Sequence, residues 1–516
     1  MKKFLASVVA GVLVLGMAAC TPKDADNKNG GETNGTQTEA NAEDVNETRA
    51  LKVGYMADPE GLDPQKTSAV STFNVTGNIY ESLIAVTPEF EFEPRLCEEY
   101  TLSEDGLSIT FNLKEGVKFH DGSEMTSDDV KFSFERLKEE DSPKASSYKN
   151  IVDITCDDDY TITFKTETLD VDLAKAFAYP WAVVMPAEVD VENLKTNPVG
   201  TGAYKFVSWT PQEKVLLERF DDYHGEKAII KNVELYLISD YTTALAALTV
   251  GDADIIEVSG DQIDIIEGTD GLSVFTQEMN AVQLLGVNNA DPVLSDLRVR
   301  QAIALALNKQ EIIDNAIWGY GTVIGSALPT VSPDFVDTTD VYPQDIERAK
   351  ELLAEAGYAD GLTLKLKLPK DYPIHVDTGL IIADQLAKIG ITAEVEVIEW
   401  GTWMSDVYTN RDYQMTVVNL SGKLDTQTFL KRYMSTGSDF VKLDSGEVDE
   451  ILSATPSMTD EAARHEAYVE VQKIIAEKLP AIYIQTMHKI FGINDDVQGF
   501  RMYPVDIYEY KNVSFK

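Results

Sequence analysis

Helix-like and strand-like segments take turns along the second half of the chain, and this order is the strongest constraint on its fold. The segments PQDIERAKELLAEAGY (343–358) and TGLIIADQLAKIG (378–390) have apolar residues at helical spacing and stop at glycine. Each is followed by a segment that alternates apolar and polar residues, LTLKLKL (362–368) and ITAEVEVIEW (391–400), as strands do. This order predicts an α/β lobe in which helices cover a sheet.

The first half of the chain is richer in strand patterns. Strands are predicted at 51–56, 107–119 and 157–166, and a hairpin is predicted within 197–219. Helices are predicted at 72–86, after a cap at Thr126 or Ser127, and at 294–319, where Ser295 or Asp296 would cap the strongest helix of the chain and Gly319 would end it.

The first twenty residues, MKKFLASVVAGVLVLGMAAC, have a basic start and then an apolar run. The run is shorter than the roughly 20 apolar residues that span a membrane, so residues 1–19 are predicted to be a cleaved export signal. The ending MAAC resembles the lipobox of bacterial lipoproteins, which makes Cys20 the predicted lipidation site; an ordinary secretory signal is the alternative. Residues 20–49 have no aromatic residue, and they are predicted to form a disordered tether.

The remaining chain is long enough for roughly three domains of about 150 residues. The formal net charge of the whole chain, −43, argues against nucleic acid as a partner, because phosphates require a basic surface. Since no second apolar run of membrane-spanning length occurs, lipid is the only predicted attachment to the membrane. Cys97 and Cys156 could form one disulfide in an oxidising compartment or remain two thiols, and the sequence leaves both open.

No motif in the sequence predicts catalysis, a cofactor or a metal site. The five histidines show no metal-binding spacing, and the nucleophile and phosphate-loop motifs are absent from the sequence. GVKFHDG (116–122) places His120 beside Asp121, but Asp-Gly after an alternating strand is first a turn signal. We therefore expect His120 to be a turn residue and the chain not to be an enzyme.

The segment EPRLCEEYTLSEDGLSITFNLKEGVKFHDGSEMTSDDVKFSFERL (93–137) resembles the hallmark region of the family 5 extracellular solute-binding proteins, the oligopeptide- and dipeptide-binding components of ABC importers. The likeness continues in order along the chain, with LDPQ (62–65), NIYESL (78–83), NPVGTGAYKFVSW (197–209), GDAD (251–254), DLRVRQAIALALNK (296–309), AKELLAEAGY (349–358) and LAKIGI (386–391). The resemblance implies an α/β fold of two lobes, like that of periplasmic binding proteins, with an extra subdomain inserted in the N-terminal lobe.

Mapped onto this sequence, the family pattern predicts the following division: lobe I at 50–82, 196–285 and 480–516, the subdomain at 83–195, and lobe II at 286–479. The lobes would close around a ligand that contacts both of them, because such a ligand binds the closed state better. The expected partners are a peptide or peptide-like ligand and the permease and ATPase subunits of an importer. The protein is expected to be a monomer at the cell membrane, lipid-anchored and facing the extracellular or periplasmic side.

The resemblance also nominates ligand-binding residues by position. The segment after LDP contributes Ser68 and Val70, and the stretch after GDAD contributes Glu257 and Val258. EVIEW contributes Trp400, and LPAIYIQ contributes Tyr483 as a weaker candidate.

One stretch departs from the pattern of the peptide-binding relatives, in which a tryptophan precedes an aspartate that holds the α-amino group of the peptide. In VVNLSGKLDTQTFL (417–430), aligned on its Phe-Leu ending, these positions are Asn419 and Gly422, and Lys423 follows. An ammonium buried without a carboxylate is costly. Either Asp425 or Glu257 would therefore replace the missing anchor, or the ligand has no free amino terminus.

The function implied by the resemblance is delivery of a small solute to an ABC importer. A ligand-sensing receptor module of the same fold, without uptake, is the alternative that the sequence leaves open.

Overall fold

The computed structural model describes residues 42–436, 440–441, 443–505 and 507–516. The predicted signal, Cys20 and the predicted tether up to residue 41 lie outside these residues. Helix α1 (Ala42–Thr48) falls inside the segment predicted as tether. Its Asn46 is buried and its side-chain oxygen accepts a hydrogen bond from the backbone of Phe515 (2.8 Å), so the folded body begins before the predicted boundary at residue 50.

The strands are β1 (Leu51–Tyr55), β2 (Ile84–Val86), β3 (Phe92–Pro94), β4 (Cys97–Leu102), β5 (Ser108–Leu113), β6 (Ile151–Asp158), β7 (Thr161–Thr166), β8 (Tyr204–Thr210), β9 (Lys214–Arg219), β10 (Asn232–Leu237), β11 (Ile255–Glu257), β12 (Leu272–Val287), β13 (Gly321–Val323), β14 (Leu362–Pro369), β15 (Ile391–Ile398), β16 (Met415–Ser421), β17 (Ala481–Asn494), β18 (Val497–Gln498) and β19 (Ser514–Phe515).

After α1, the α-helices are α2 (Val70–Thr76), α3 (Ser127–Leu137), α4 (Tyr241–Val250), α5 (Ile263–Glu267), α6 (Leu297–Ala306), α7 (Lys309–Ala316), α8 (Ile346–Glu355), α9 (Pro373–Ala387), α10 (Trp400–Trp403), α11 (Thr426–Leu430), α12 (Gly446–Ala454) and α13 (Glu461–Lys478). None of the helices described is long and apolar enough to cross a membrane.

Two long strands join the two halves of the main sheet, whose order is β15-β14-β16-β12-β17-β11-β1-β10-β9-β8. Strand β12 pairs with β17 over 272–278 and again over 282–286, and with β16 only from Ala281 onwards, whereas the second part of β17 pairs with β11. Parallel strands lie on either side of this pair, β1 with β10 and β14 with β15. Helix α9 packs on β14 and β15, as the sequence predicts for the second half.

A separate sheet of order β4-β5-β7-β6 carries the hallmark segment. Cys97 lies on β4 and Cys156 on β6, the two outer strands, and both are free thiols. Three strand spacings separate outer strands by about 14 Å, well beyond the roughly 7 Å that a disulfide allows between Cα atoms. Of the two possibilities that the sequence left open, the structure has the two thiols.

Buried apolar residues form separate clusters in different parts of the chain. One cluster is built from residues 83–184 together with Leu424. A second is drawn from residues 51–80, 183–235, 255 and 491–515, and two more lie within residues 282–484. Each cluster packs one sheet face against its own helices and loops.

The His120 turn is confirmed. Gly122 has a positive φ of 92° and its N–H donates to the carbonyl of Phe119 (2.9 Å). His120 Nε2 lies 2.8 Å from the carbonyl of Gly202, and Nδ1 accepts the N–H of Gly200. Burial lowers the pKa of His120 to about 4, so a neutral imidazole holds the two glycine-containing segments together.

Two predicted helices were wrong in extent. The helix predicted at 72–86 stops at Thr76, because the carbonyls of Asn78 and Ile79 accept from Tyr204 and Gly202 instead of continuing a helix. The helix predicted at 294–319 is two helices, α6 and α7, because Asn308 caps the second and Gln385 binds the backbone of Asn308 between them. The caps predicted at Thr126 and Asp296 are confirmed.

Candidate ligand cavity

Segments from distant parts of the chain converge on a cavity of about 220 Å³. It lies beside the point where β12 leaves its regular pairing with β17, between Glu278 and Val282. The extra residues bulge there and bring Met279, Asn280 and Ala281 to the cavity. The other walls come from Ser68, Val70 and Phe73, from 179–181, 421–424 and 502–505, and from Lys144, Lys489 and Tyr508.

An aromatic wall closes one side of the cavity. The rings of Tyr179 and Trp181 are stacked with their centroids 4.5 Å apart, and Phe73 leans on Trp181 at 5.7 Å. The ammonium of Lys144 lies 4.3 Å from the centre of the Trp181 ring, within cation–π range. This wall offers apolar area and ring faces to a bound molecule.

Two neighbouring cavities share walls with this one. A cavity of about 640 Å³ is also lined by Tyr179, Trp181 and Lys423, and it adds Asp170, Asp172 and Asp425. A cavity of about 260 Å³ shares Val70, Lys489 and Tyr508, and it adds Glu257. The three together form a cleft several times larger than the central cavity.

Direct contacts close the cleft between residues 83–184 and the chain beyond 420. The hydroxyl of Tyr179 accepts the N–H of Leu424 (3.0 Å), and the carbonyl of Pro456 accepts the N–H of Val171 (3.3 Å). Leu424 also joins the apolar cluster of residues 83–184. A molecule in the cavity would therefore be enclosed on several sides.

Comparison with known proteins identifies the family. The family model of bacterial extracellular solute-binding proteins, family 5 Middle, matches residues 91–473. The chain belongs to this family.

Its relatives cover nearly the whole chain. The oligopeptide-binding protein AppA of Bacillus subtilis (strain 168) is 24% identical over 96% of this chain and 95% of its own length. A dipeptide-binding protein of Escherichia coli (strain K12) is 26% identical over 89% and 93%. The structure of DppA from Helicobacter pylori, in complex with the peptide STSA, matches with a TM-score of 0.77, 24% identity, and coverage of 90% of this chain and 98% of that one.

These comparisons confirm the resemblance drawn from the sequence landmarks and the two-lobed α/β fold. The proteins of the family are solute-binding proteins, so the chain is a binding protein and not an enzyme. Among the residues described, no three His, Cys, Asp or Glu side chains are grouped to hold a metal ion.

The cavities bring together six of the ligand-binding residues that the sequence nominated for this family 5 protein. Ser68, Val70, Gly422 and Lys423 line the central cavity. Asp425 lines the neighbouring cavity of about 640 Å³, and Glu257 lines the neighbouring cavity of about 260 Å³.

The other four nominated residues lie away from these cavities. Val258 is buried in the cluster that contains Leu248 and Ile266. Asn419 lies within β16 opposite Gln283. Trp400 stacks on Trp403 at 4.8 Å, with Tyr372 against its edge, and Tyr483 is buried in the 282–483 cluster.

Glu257, nominated as a replacement amine anchor, already holds a cation. Its Oε2 lies 3.0 Å from Nζ of Lys489, which also donates to the hydroxyl of Tyr508 (2.6 Å). Burial opposes the charge of Lys489, but the carboxylate of Glu257 and the hydroxyl of Tyr508 together outweigh burial and raise the pKa of the lysine. Lys489 is therefore charged at neutral pH, and Glu257 neutralises it.

Asp425, the second nominated anchor, is the N-cap of α11. Its carboxylate accepts the backbone N–H groups of Gln427 (2.8 Å) and Thr428 (3.1 Å) and the hydroxyl of Thr428. Burial and then the charge of Asp172 raise the pKa of Asp425. Its acceptor capacity is largely used within the helix start.

Several cavity residues were not nominated from the sequence, above all Tyr179, Trp181, Asn280 and Tyr503. A partial signal exists for two of the segments, because Tyr-Pro occurs four times, at 179–180, 342–343, 372–373 and 503–504, and the first and last of these line the cavity. A residue before proline is held in an extended conformation, which presents a ring on an ordered loop. For Asn280 no local signal exists, since its place depends on a bulge formed by pairing with β17.

Proposed function

We propose that this protein is the lipid-anchored substrate-binding component of an ABC importer, and that it captures a peptide or peptide-like solute between two lobes. The observation that carries the proposal is the cavity itself. Residues of the predicted lobe I, of the subdomain and of lobe II all line it, and contacts such as the hydrogen bond between Leu424 and Tyr179 close it. A ligand held there touches both sides of the cleft and so favours the closed form. A membrane permease would receive the solute from that form.

The lobe boundaries given by the family pattern are part of this proposal. The separate apolar clusters support them, since residues 83–184, 51–80 with 491–515, and 282–484 each pack internally. The paired strands β12 and β17 pass from one side to the other and would act as the hinge. Anchoring at Cys20, outside the described residues, is proposed from the sequence alone.

The ligand class follows from the charges around the cavity. No carboxylate belongs to the described residues that line it, while three lysines do. Glu257 is paired with Lys489, and Asp425 caps a helix. Of the alternatives left by the sequence, we favour a peptide-like solute whose end at this cavity carries no free ammonium group.

Native mass spectrometry of the purified mature protein tests the proposal. We expect a copurifying compound of peptide-like mass, released by gentle denaturation and bound again on refolding. The variant Trp181→Ala removes the aromatic wall and should lower retention of that compound at least about tenfold, since such a ring contributes about 1.5 kcal/mol or more when it packs on a ligand. A matched control is Trp318→Ala, because Trp318 is exposed and lies outside the cavities described above.

Retention of the compound at wild-type strength by Trp181→Ala would contradict the cavity assignment. Deletion of the gene should abolish uptake of the same compound, and uptake that persists would favour the sensing module. Metabolic labelling with palmitate should mark wild type and not Cys20→Ser, whereas an unlabelled wild type would remove the anchor.

A further inference from the structure

One neighbouring side chain, that of Asn280, approaches Gly422 so closely that a Cβ at position 422 fits only if this side chain moves. A Cβ placed on Gly422 would lie 1.8 Å from Oδ1 and 2.3 Å from Cγ of Asn280. The backbone of Gly422 has no positive φ, so its need for glycine is a matter of space and not of conformation. The side chain of Asn280 therefore fills the position that a residue 422 side chain would take.

Asn280 is fixed in this place by backbone contacts from two different segments. Its carbonyl accepts the N–H of Gly422 (2.6 Å), which extends the pairing of β12 with β16. Its Nδ2 donates to the carbonyl of Pro504 (2.9 Å) and points to that of Lys423 (3.5 Å). Two carbonyls around one end of the amide determine which end is nitrogen, so Oδ1 is the atom that faces Gly422.

The segment that contributes Pro504 is held a second time by the same strand. The backbone N–H of Met502 donates to Oε1 of Gln277 (3.1 Å), and Nε2 of Gln277 donates to the carbonyl of Met502 (3.2 Å). Gln277 and Asn280 thus hold 502–504 at the cavity wall, and Asn280 alone also holds the end of β16. A change at Asn280 alters two walls at once.

We propose that Asn280 and Gly422 are a matched pair that sets the ligand specificity of the cavity. Asn280 lines the cavity, and its Oδ1 accepts no hydrogen bond from the described residues although it is not fully buried. Oδ1 can therefore serve as a neutral acceptor, which suits an amide N–H or a hydroxyl of the solute rather than an ammonium group. Because residue 422 has no side chain, the side-chain amide of Asn280 has room beside it. This inference rests on the function proposed above and deepens it, because it names the chemistry recognised at one end of the solute.

The test exchanges the two residues. Gly422→Asn should collide with Asn280 and lower binding of a tripeptide library, offered both free and N-acetylated, by about tenfold or more, which corresponds to about 1.4 kcal/mol. Gly401→Asn is the matched control, because no atom lies within 4 Å of a Cβ at Gly401. The exchange variant Asn280→Gly/Gly422→Asn relieves the collision but loses the hydrogen bond of Asn280 to Pro504, so it should bind better than Gly422→Asn without reaching wild type.

Charge is tested separately with Asn280→Asp, which keeps the shape of the side chain but loses the donor to Pro504. The measured quantity is therefore the ratio of binding between free and N-acetylated tripeptides, because the lost donor affects both libraries. Wild type should retain N-acetylated tripeptides better than free ones, and Asn280→Asp should shift this preference towards the free amines by about tenfold. Wild type that prefers free-amine peptides would overturn the inference, as would Gly422→Asn behaving like Gly401→Asn.

The two proposals fail differently. Wild type that retains neither library contradicts the peptide assignment and the ligand chemistry inferred here. The pairing of Asn280 with Gly422 can then still be tested by thermal unfolding. The melting temperature of Gly422→Asn should be lower than that of Gly401→Asn, and the melting temperature of the exchange variant should be higher than that of Gly422→Asn. Wild type that binds peptides while all variants bind equally contradicts the matched pair alone.

Discussion

The small sheet of the hallmark segment and the long strands β12 and β17 are both β-structure, but they are built in opposite ways. In β5 and β7 buried and more exposed residues alternate, so one face packs on the apolar cluster and the other faces solvent. The second part of β12 and the first part of β17 are buried on both faces. Strands of this second kind carry polar residues, such as Gln283 and Gln485, in the interior, where each must find a partner.

The largest effect is expected from a change in the sheet β4-β5-β7-β6, which packs on the apolar cluster with one face only. Phe164 of β7 is fully buried against Phe134 (5.1 Å) and Phe177 (4.7 Å). Phe164→Ala should lower the free energy of unfolding by about 3–5 kcal/mol, because it leaves a cavity in the aromatic cluster. Chemical denaturation measures this, with Val152→Ala on the exposed face of β6 as the control. Equal effects of the two variants would contradict the packing described.

A smaller effect is expected in the long strands, and it should depend on pairing. Gln485 donates to Gln283 (2.6 Å), and Gln283 donates to His375 (3.0 Å). Gln283→Met leaves polar groups of both partners unpaired and should cost about 1–3 kcal/mol. Gln283→Met/Gln485→Met should cost less than the sum of the two single variants.

Denaturation of the four proteins measures that coupling, and Gln498→Met, at an exposed position, is the control. Strictly additive costs would show that the two amides do not depend on each other.

The sequence predicted the first kind of strand well and the second not at all. Alternation of apolar and polar residues located β5 and β7, and glycine stops located α8 and α9. An element with one solvent-exposed face leaves such a periodic pattern in the sequence. The segments 281–287 and 481–486 carry no such period, since both faces are buried there. The same difference holds at the site, where landmark positions gave Ser68 and Val70, whereas Asn280 depends on a bulge that only the pairing of β12 and β17 creates.

The smallest effect, taken per pH unit, compares the two regions by pH. Burial lowers the pKa of His120 and of His375 to about 4, below the ordinary value of 6.5. As pH falls from about 6.5 to about 4, the unfolded chain takes up protons that the folded protein refuses, so stability is lost in this window. Each histidine should contribute up to about 1.4 kcal/mol per pH unit.

His120→Gln and His375→Gln should each flatten the slope of unfolding free energy against pH. An unchanged slope in either buried-site variant would show that the imidazole there accepts a proton in the folded state.

The proposed function depends most on closure of the two lobes around a solute. Small-angle X-ray scattering of the mature protein, first stripped of its copurifying compound and then given it back, tests this directly. We predict a decrease in the radius of gyration when the compound is restored, together with retention of the compound on the protein. Superimposable scattering curves with the compound bound would contradict closure.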